Sequence, residues 1–222
     1  MKNKARIPGR IIFLAILGMA VTNGCSSSEE VREAREIREY QGQQLSSLND
    51  LRENSITGAQ KVDLETYSLS VTGLVGQPLR YTYDEILDQF THITKVASLH
   101  CVEGWSATLL FEGIPFRDLL EKSSPLPAAQ IVIFHSVDGF TTSLPLDYFL
   151  AGGIIMAFQI NGLTLRPENG FPFQLVAEGK WGYKWAKWIS EIELSDNLDY
   201  RGFWESRGYS NTGNQEESFF GP

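Results

Sequence analysis

Cysteine and histidine are scarce in this sequence. Its 222 residues contain two cysteines, Cys25 and Cys101, and three histidines. Two cysteines cannot build the disulfide framework that holds many small secreted domains together. The histidines do not fall in the HExxH or paired Cys/His spacings that are typical of zinc sites. The sequence therefore gives little support to a disulfide-rich protein or to a zinc enzyme.

The sequence also lacks an apolar run long enough to span a bilayer. The run at residues 11–21 has eleven residues, whereas a transmembrane helix needs about 20. The residues before Cys25 include no Asp or Glu, and they carry the basic residues Lys2, Lys4, Arg6 and Arg10. A basic stretch followed by a short apolar run is typical of an export signal. We predict that residues 1–24 are a signal peptide.

The step Gly24-Cys25 at the end of this run resembles the lipobox of bacterial lipoproteins. The resemblance implies a lipid on Cys25 and a location on the periplasmic side of the bacterial cell envelope. An ordinary secreted protein with Cys25 as a spare thiol stays an alternative. Residues 25–49 are Ser-rich and then alternate Glu with Arg, which predicts a solvated tether or short exposed helix. The globular domain is then predicted at residues 50–222.

The chain has the composition of an ordinary globular protein with a hydrophobic core. The formal net charge of -8 argues against a nucleic-acid partner. Beyond residue 50, short β-rich runs alternate with brief helical patterns. Strands are predicted at 66–72, 93–99, 131–134 and 154–160, and helices at 82–89 and from residue 115. The pattern has no βαβ series, so we predict a sheet-rich, mixed α+β fold.

Most standard catalytic motifs are absent from the sequence. Gly104-Trp105-Ser106 begins a nucleophile-elbow pattern, but Thr108 stands where its last glycine is needed. Neither a GxGxxG loop nor a Walker loop is present. Cys101 remains as a candidate functional residue. If Cys25 is lipidated, Cys101 has no cysteine with which to form a disulfide. The residues alone leave two interpretations open for it: an inert buried thiol or a soft ligand to a metal cofactor.

A series of short motifs around and beyond Cys101 carries more information than any one of them. They are SLHCVEGWS (98–106), DGF (138–140), NG (161–162), NGFP (169–172) and GYKWAKWI (182–189). Their order and spacing resemble the molybdopterin-binding domain of the sulfite oxidase family across residues 62–194. The resemblance implies the mixed, sheet-rich fold of that family and an oxidoreductase that carries molybdenum-molybdopterin. The segments GFWE (202–205) and GY (208–209) resemble the ending of bacterial members.

The resemblance also implies roles for individual residues. Cys101 would supply the protein thiolate to molybdenum and so is the predicted catalytic residue. The other residues expected around the pterin and its phosphate are Asn54, Asn169, Gln174, Trp185, Ala186 and Lys187. An alternative for Lys184 and Lys187 is a solvated strand face. Electrons would be exchanged with a separate haem or cytochrome partner, because the sequence has no haem-attachment motif.

Three departures from the family pattern bear on the substrate. Gln174 stands where the family commonly has arginine, and Phe158 stands where sulfite oxidases place a tyrosine beside the metal. Cys101 is followed by Val102 and Glu103 instead of arginines, and a carboxylate facing the site would repel a small anion. A neutral substrate such as a sulfoxide or an N-oxide is therefore at least as well supported as sulfite.

Two other classes of function stay open from the sequence. Arg6 and Arg10 are not adjacent, so the twin-arginine signal that usually exports loaded molybdopterin proteins is missing. That absence and Gln174 favour a cofactor-free binding or assembly lipoprotein on the same scaffold. An unrelated secreted β-rich binding domain would leave the motif series to coincidence.

Overall fold

The computed structural model of the chain describes residues 35–221. The predicted signal peptide at residues 1–24 and the predicted lipid anchor at Cys25 lie outside the described residues. The first part of the predicted tether, residues 25–34, lies outside them as well. None of the helices in the described part is long and apolar enough to cross a membrane.

Strands outnumber helices in the described chain. The strands are β1 (Glu39–Tyr40), β2 (Gln43–Gln44), β3 (Leu69–Gly73), β4 (Leu79–Tyr81), β5 (Ile93–His100), β6 (Ser106–Pro115), β7 (Ile131–Ser136), β8 (Thr141–Pro145), β9 (Ile155–Ile160), β10 (Leu163–Thr164), β11 (Gln174–Val176) and β12 (Ile189–Ser195). The α-helices are α1 (Tyr83–Gln89), α2 (Phe116–Ser123) and α3 (Leu146–Leu150). Short 3-10 helices cover Leu48–Asp50, Pro167–Asn169, Gly182–Lys184 and Glu205–Arg207.

Two five-stranded sheets form the body of the domain. The first runs β10-β9-β6-β5, and β11 also pairs with β9. The second runs β4-β3-β12-β7-β8. β12 and β3 are parallel, whereas the other pairs in the two sheets are antiparallel. Short helices among many strands confirm the predicted α+β, sheet-rich fold.

The two longer helices form for the reasons that the sequence indicates. At the start of α1, the Thr82 hydroxyl accepts a hydrogen bond from the Glu85 N–H, and the Glu85 carboxylate accepts one from the Thr82 N–H. This reciprocal capping box satisfies two otherwise unpaired donors. Helix α2 buries one apolar face against the core, formed by Phe116, Leu119 and Leu120. Both helices confirm the predictions.

The long strand β6 is absent from the sequence predictions. It pairs with β5 on one side and with β9 on the other, so it lies inside the first sheet. Its consecutive residues Leu109, Leu110 and Phe111 are all buried. A strand covered on both faces reads as a continuous apolar run, so the alternation that marks a half-buried strand is missing.

Residues 35–49 differ from the predicted tether. β1 and β2 form a small hairpin, and Leu45 and Leu48 are only 3% and 4% exposed. The Ile37 N–H donates a hydrogen bond to the Asn161 carbonyl oxygen at 2.8 Å. The charged residues of this stretch predicted solvation, but the apolar residues that follow them are buried against the domain. The compact part of the chain therefore begins before the boundary predicted at residue 49.

Candidate active site

A cavity of about 350 Å³ opens at the end of the β5–β6 hairpin. Six of the seven residues predicted to hold a cofactor line this cavity, namely Asn54, Cys101, Asn169, Gln174, Trp185 and Lys187. They come from four separate stretches of the sequence, at residues 54, 101, 169–174 and 185–187, which the fold brings together. The seventh, Ala186, is not part of the cavity wall.

Cys101 begins the five-residue loop that joins β5 to β6. Its N–H donates to the Trp105 carbonyl oxygen at 2.9 Å, and its carbonyl oxygen accepts from the Gly104 N–H at 3.1 Å. Gly104 has a φ of +86°, which is a conformation that residues with a Cβ rarely adopt. This tight turn fixes the Cys101 backbone at the end of a long, well-paired hairpin.

The Cys101 thiol is buried and hydrogen-bonded. The residue is 8% exposed, and its Sγ accepts a hydrogen bond from the Asn54 Nδ2 amide at 3.4 Å. Burial raises the pKa of the Cys101 thiol, and the Glu103 carboxylate raises it further against the lowering effects of the Glu103 backbone N–H, Asn54 and Arg52. The free thiol is therefore protonated at neutral pH. A metal that binds it must displace this proton.

Lys187 is held at the edge of the cavity by several contacts. Its Nζ donates to the Glu168 carbonyl oxygen at 3.1 Å and to Glu53 Oε1 at 3.2 Å, and it lies 4.4 Å from the centroid of the Trp188 ring. A Cβ at Gly170 would lie 2.9 Å from the Lys187 Cβ, so a glycine is required at that point. Burial lowers the pKa of Lys187, whereas the Glu53 carboxylate raises it. The result is a positioned cation at the cavity wall.

Gln174 and Asn169 contribute neutral amides to the cavity. Gln174 begins β11, is 6% exposed and pairs with Ala157 of β9. Asn169 ends the 3-10 helix Pro167–Asn169, and its N–H donates to the Arg166 carbonyl oxygen at 2.9 Å. The position at which the family pattern predicts arginine is therefore inside the cavity wall and uncharged here.

Trp185 and Ala186 are adjacent but play different structural parts. The Trp185 ring lies 5.8 Å from the Phe111 ring between centroids, and its Nε1 donates to the Lys180 carbonyl oxygen at 3.1 Å. Ala186 is fully buried, and its carbonyl oxygen accepts the Leu175 N–H at 2.8 Å. Ala186 therefore supports β11 behind the cavity, and its direct contact with a cofactor stays a prediction.

Three buried polar atoms of cavity-lining residues have no hydrogen-bond partner among the described residues. They are Ser55 Oγ, Trp105 Nε1 and Ser136 Oγ. A buried polar group without a partner costs about 1–3 kcal/mol, and native structures rarely keep several of them in one place. Unpaired polar atoms around a buried thiol fit a polar ligand such as a pterin.

The position at which sulfite oxidases place a tyrosine lies away from the cavity here. Phe158 is 3% exposed, and its ring packs against the His92 ring with centroids 4.7 Å apart. Phe158 does not belong to the residues that line the cavity. The missing hydroxyl at this position therefore does not by itself change the chemistry of the cavity.

Charged side chains of both signs line the cavity. The carboxylates are Glu103, Asp138 and Glu168, and the cations are Arg52 and Lys187. Lys187 already faces Glu53 in an ion pair at 3.2 Å. Acidic groups therefore balance or exceed the basic ones around the cavity, which disfavours a small anionic substrate.

The sequence did not single out several residues that line the cavity. They are Arg52, Ser55, Ser136, Tyr183, Trp204 and Tyr209. Arg52 and Ser55 flank the predicted Asn54, and Tyr183 lies in the GYKWAKWI motif. Trp204 and Tyr209 belong to the aromatic-rich end of the chain, whose only signal was the resemblance of GFWE and GY to family members. No local pattern predicted that this end folds back onto the cavity.

Comparison with known proteins agrees with this geometry. Residues 56–204 match a family described as "Oxidoreductase molybdopterin binding domain". The chain is 36% identical over 148 residues to the uncharacterized oxidoreductase YuiH of Bacillus subtilis. The match covers 66% of this chain and 74% of that relative.

A second relative has a named activity. The chain is 32% identical over 148 residues to the protein-methionine-sulfoxide reductase catalytic subunit MsrP of Gluconobacter oxydans. The match covers 59% of this chain and 47% of that relative. The chain therefore spans about half the length of this reductase subunit.

A solved structure shares the fold. The sulfane dehydrogenase SoxCD from Paracoccus pantotrophus superposes with a TM-score of 0.63 at 24% sequence identity. The superposition covers 72% of this chain and 44% of that chain. At this identity the likeness shows the fold of the domain.

Proposed function

The chain belongs to the oxidoreductase molybdopterin binding domain family, which is the sulfite oxidase family, and on this premise we propose its function. It is an extracytoplasmic molybdenum-molybdopterin oxidoreductase that transfers an oxygen atom to or from a small neutral substrate. A sulfoxide is the preferred class, and a separate haem or cytochrome partner exchanges the electrons. The observation that carries the proposal is the buried Cys101 thiol, hydrogen-bonded to Asn54 in the cavity wall.

Cys101 and Asn54 would form the metal end of the site. When bound, molybdenum-molybdopterin supplies the oxygen-atom transfer and takes up or releases two electrons. Cys101 would hold the metal, because a thiolate is a soft ligand that suits such ions. The Asn54 amide donates to the sulfur, and an outer hydrogen bond of this kind orients a ligand and tunes its basicity.

Basic and unpaired polar residues would hold the remainder of the cofactor. Lys187 and Arg52 are the cations of the cavity wall, and a pterin phosphate needs such positive charge. The unpaired atoms of Ser55, Trp105 and Ser136 would gain partners from the polar edge of the pterin. The cavity thus offers one ligand a thiol that would bind a metal as the thiolate, together with cations and unpaired polar groups.

The charges around the cavity support a neutral substrate. Glu103 and Asp138 line it, and Gln174 brings no positive charge, so a small anion such as sulfite would be repelled. The Gluconobacter relative is by name a protein-methionine-sulfoxide reductase catalytic subunit, which supports a sulfoxide. Its reduction breaks the S–O bond, consumes two electrons and two protons, and yields a thioether and water.

The location and the partner are argued from the sequence. Residues 1–24 have the pattern of an export signal, and Cys25 has the position of a lipid anchor. The protein would then be attached to a membrane on the periplasmic side of the cell envelope. The name of the Gluconobacter relative, a catalytic subunit, supports assembly with a second subunit. A haem protein in that role would accept or supply electrons one at a time.

The decisive test is the metal and pterin content of the protein purified from its native envelope. We expect close to one molybdenum and one pterin per chain by plasma mass spectrometry and pterin fluorescence. The Cys101→Ser variant should lose oxygen-atom transfer while its melting temperature stays near that of the wild type. Neither metal nor pterin, in protein from cells that make active molybdoenzymes, would instead favour a cofactor-free scaffold.

The lipid anchor has its own test. A radiolabelled fatty acid should be incorporated into the wild-type chain and not into the Cys25→Ala variant. The Cys101→Ser variant serves as the control, because it removes the other cysteine and should keep the label. An unchanged label on Cys25→Ala would exclude the anchor.

A further inference from the structure

The end of the chain supplies one wall of the cavity from outside the family match. That match stops at residue 204, yet Tyr209 lines the cavity together with Trp204. The Tyr209 N–H donates to the Trp204 carbonyl oxygen at 3.2 Å, which brings the two residues together around a tight turn. The segment 205–221 therefore adds Tyr209 to the wall of the site.

This segment is fixed in place by a buried ion pair. Lys184 and Glu205 form an ion pair in which both side chains are fully buried. The Lys184 Nζ also donates to the Ser143 carbonyl oxygen at 3.0 Å, and the Thr142 hydroxyl donates to the Glu205 carboxylate. Removing one partner of such a pair strands a buried charge, so the native position is strongly favoured. The wall that Tyr209 forms is therefore well positioned.

The Tyr209 ring lies in a cluster of aromatic side chains. Its centroid is 5.1 Å from that of Tyr183, 5.2 Å from Trp204 and 5.6 Å from Phe220. Tyr183 and Trp204 also line the cavity. An apolar, polarizable wall of this kind suits the alkyl or aryl groups on a thioether or sulfoxide sulfur.

The two tyrosine hydroxyls at the cavity differ in their partners. The Tyr183 hydroxyl donates to the Ser210 carbonyl oxygen at 2.7 Å. Tyr209 lines the cavity, and its hydroxyl makes no hydrogen bond to any group in residues 35–221, so that hydroxyl is free to donate to water or to a bound molecule. Phe158 has no hydroxyl and lies away from the cavity, whereas Tyr209 is part of the cavity wall.

We infer that Tyr209 is a substrate-binding residue whose hydroxyl donates a hydrogen bond to the oxygen of a neutral sulfoxide, while the aromatic cluster holds the groups on sulfur. A sulfoxide oxygen is an acceptor with no proton of its own, so it matches a free donor. The inference rests on the proposed function for its substrate class.

The test compares the Tyr209→Phe and Tyr148→Phe variants in the full chain. Methyl phenyl sulfoxide is the probe, and reduced benzyl viologen is the electron donor. Tyr209→Phe keeps the ring and removes only the hydroxyl. We expect kcat/KM to fall about tenfold, which is the size of one lost hydrogen bond to substrate, while molybdenum and pterin per chain stay unchanged. The dissociation constant of methyl phenyl sulfoxide, measured by calorimetry, should rise in parallel.

Tyr148→Phe is the matched control. The Tyr148 hydroxyl donates to the Glu178 carbonyl oxygen at 2.8 Å, away from the cavity. Its loss should lower the melting temperature and leave kcat/KM unchanged. An effect of equal size in both variants would mean that Tyr209 acts through general stability, which overturns the inference.

The remaining outcomes separate the inference from the proposed function. If the wild type reduces the sulfoxide and Tyr209→Phe has the same kcat/KM and the same dissociation constant, the inference is overturned and the proposed function stands. A fall in pterin content of Tyr209→Phe would place the residue on the cofactor and also overturn it. A wild type that binds the sulfoxide in a Tyr209-dependent way without reducing it would support the inference and refute the proposed function.

Discussion

The two ends of the described chain both reach the cavity, but different interactions hold them against the domain. The N-terminal segment, residues 35–55, delivers Asn54 and Arg52, whereas the C-terminal segment, residues 205–221, delivers Tyr209. Both segments lie wholly outside the family match at residues 56–204. Hydrogen bonds hold both segments, and the second also has a buried ion pair and a cluster of tilted and edge-to-face aromatic rings.

The hydrogen bonds of the N-terminal segment converge on Asn161. Its Oδ1 accepts the Leu110 N–H at 3.0 Å, and its Nδ2 donates to Glu36 Oε1 at 3.1 Å and to the Ser46 carbonyl oxygen at 3.0 Å. Glu36 in turn accepts the Leu48 N–H at 2.7 Å. Several hydrogen bonds of moderate strength together stabilise this segment, so the loss of one leaves the others in place.

The C-terminal segment adds a buried ion pair to its hydrogen bonds, two of which join Lys180 Nζ to the Thr212 carbonyl oxygen at 3.0 Å and Gln215 Nε2 to the Lys180 carbonyl oxygen at 2.9 Å. Lys184 and Glu205 are both fully buried, and one oxygen of the Glu205 carboxylate has no partner among the described residues. Burial lowers the pKa of Lys184, and the Glu205 carboxylate raises it again. An ion pair out of water is favourable only while both partners are present. The comparison teaches that a single substitution should cost more at the buried ion pair than at any one hydrogen bond of the N-terminal segment.

The largest effect is expected where the ion pair is broken. Glu205→Gln leaves the Lys184 charge buried without its counter-charge, and such changes cost about 3–5 kcal/mol. Urea unfolding should show this loss. The double variant Lys184→Met with Glu205→Gln is the control, because it removes the stranded charge and should regain most of the stability. A cost of about 0.5 kcal/mol or less for Glu205→Gln, the range of ordinary surface substitutions, would show that the pair does not hold the segment.

The second largest effect is expected at Asn161. Its side chain makes three hydrogen bonds, and its φ is +50°, which alanine tolerates poorly. Asn161→Ala should cost about 2–3 kcal/mol, because it strands the buried Leu110 N–H. Asn161→Gly keeps the backbone conformation and loses the same hydrogen bonds, so it should cost about 1 kcal/mol less. Equal costs would mean that the backbone conformation is not strained. Hydrogen exchange should accelerate in residues 35–48 for both variants.

The same contrast explains which parts could be predicted from the sequence. The Thr82 cap, the apolar face of α2 and the position of Cys101 at the end of β5 are local patterns, and each one was predicted correctly. The partners of Lys184 are not local, since Glu205 lies 21 residues away. The alternative interpretation of Lys184 as part of a solvated strand face was wrong, because the side chain is fully buried. No pattern in the neighbouring sequence indicates this burial.

The residues of the cavity also divide into those that sequence motifs predict and those whose position depends on contacts between distant parts of the chain. The motif series predicted Cys101 and Lys187, the family resemblance added Asn54, and the structure brings these three residues to one cavity. Tyr209 was not predicted, because its place depends on how the last segment folds back. The hydrogen bond between the Ile37 N–H and Asn161 joins residues 124 positions apart, and that is why residues 35–49 were mistaken for a tether.

A smaller, pH-dependent effect is expected at Glu36. Burial raises its pKa, but the Leu48 N–H, the Asn161 amide and Arg38 more than offset this, so the pKa lies below the ordinary value. A lowered pKa means that the ionised carboxylate stabilises the fold above the unfolded pKa, about 4.3. This contribution is lost as the pH falls through the folded pKa.

The Glu36→Gln variant tests this sign. At pH 7 it should be less stable than the wild type by about 1 kcal/mol, the typical worth of one hydrogen bond. The difference should shrink as the pH falls from the unfolded pKa, about 4.3, through the lower folded pKa, where the wild-type carboxylate takes up a proton. Unfolding in urea at pH 7, 5 and 3.5 measures the gap. A gap that widens toward acid pH would mean that Glu36 is not stabilised as a carboxylate.

The smallest effect is expected at the outermost ring of the C-terminal segment. Phe220 is 59% exposed, yet its centroid lies 4.6 Å from that of Phe219 and 5.6 Å from that of Tyr209. Phe220→Ser should lower the free energy of unfolding by about 0.5 kcal/mol, the low end for an aromatic pair, because water already covers most of the ring.

Ile37→Ser is the counterpart in the N-terminal segment, where a side chain that is 36% exposed packs against Gly162. It should cost more, about 1 kcal/mol, because more apolar area leaves contact. A reversed order would show that the exposed ring contributes more to stability than its burial indicates, and that the aromatic cluster, like the ion pair, acts as one unit.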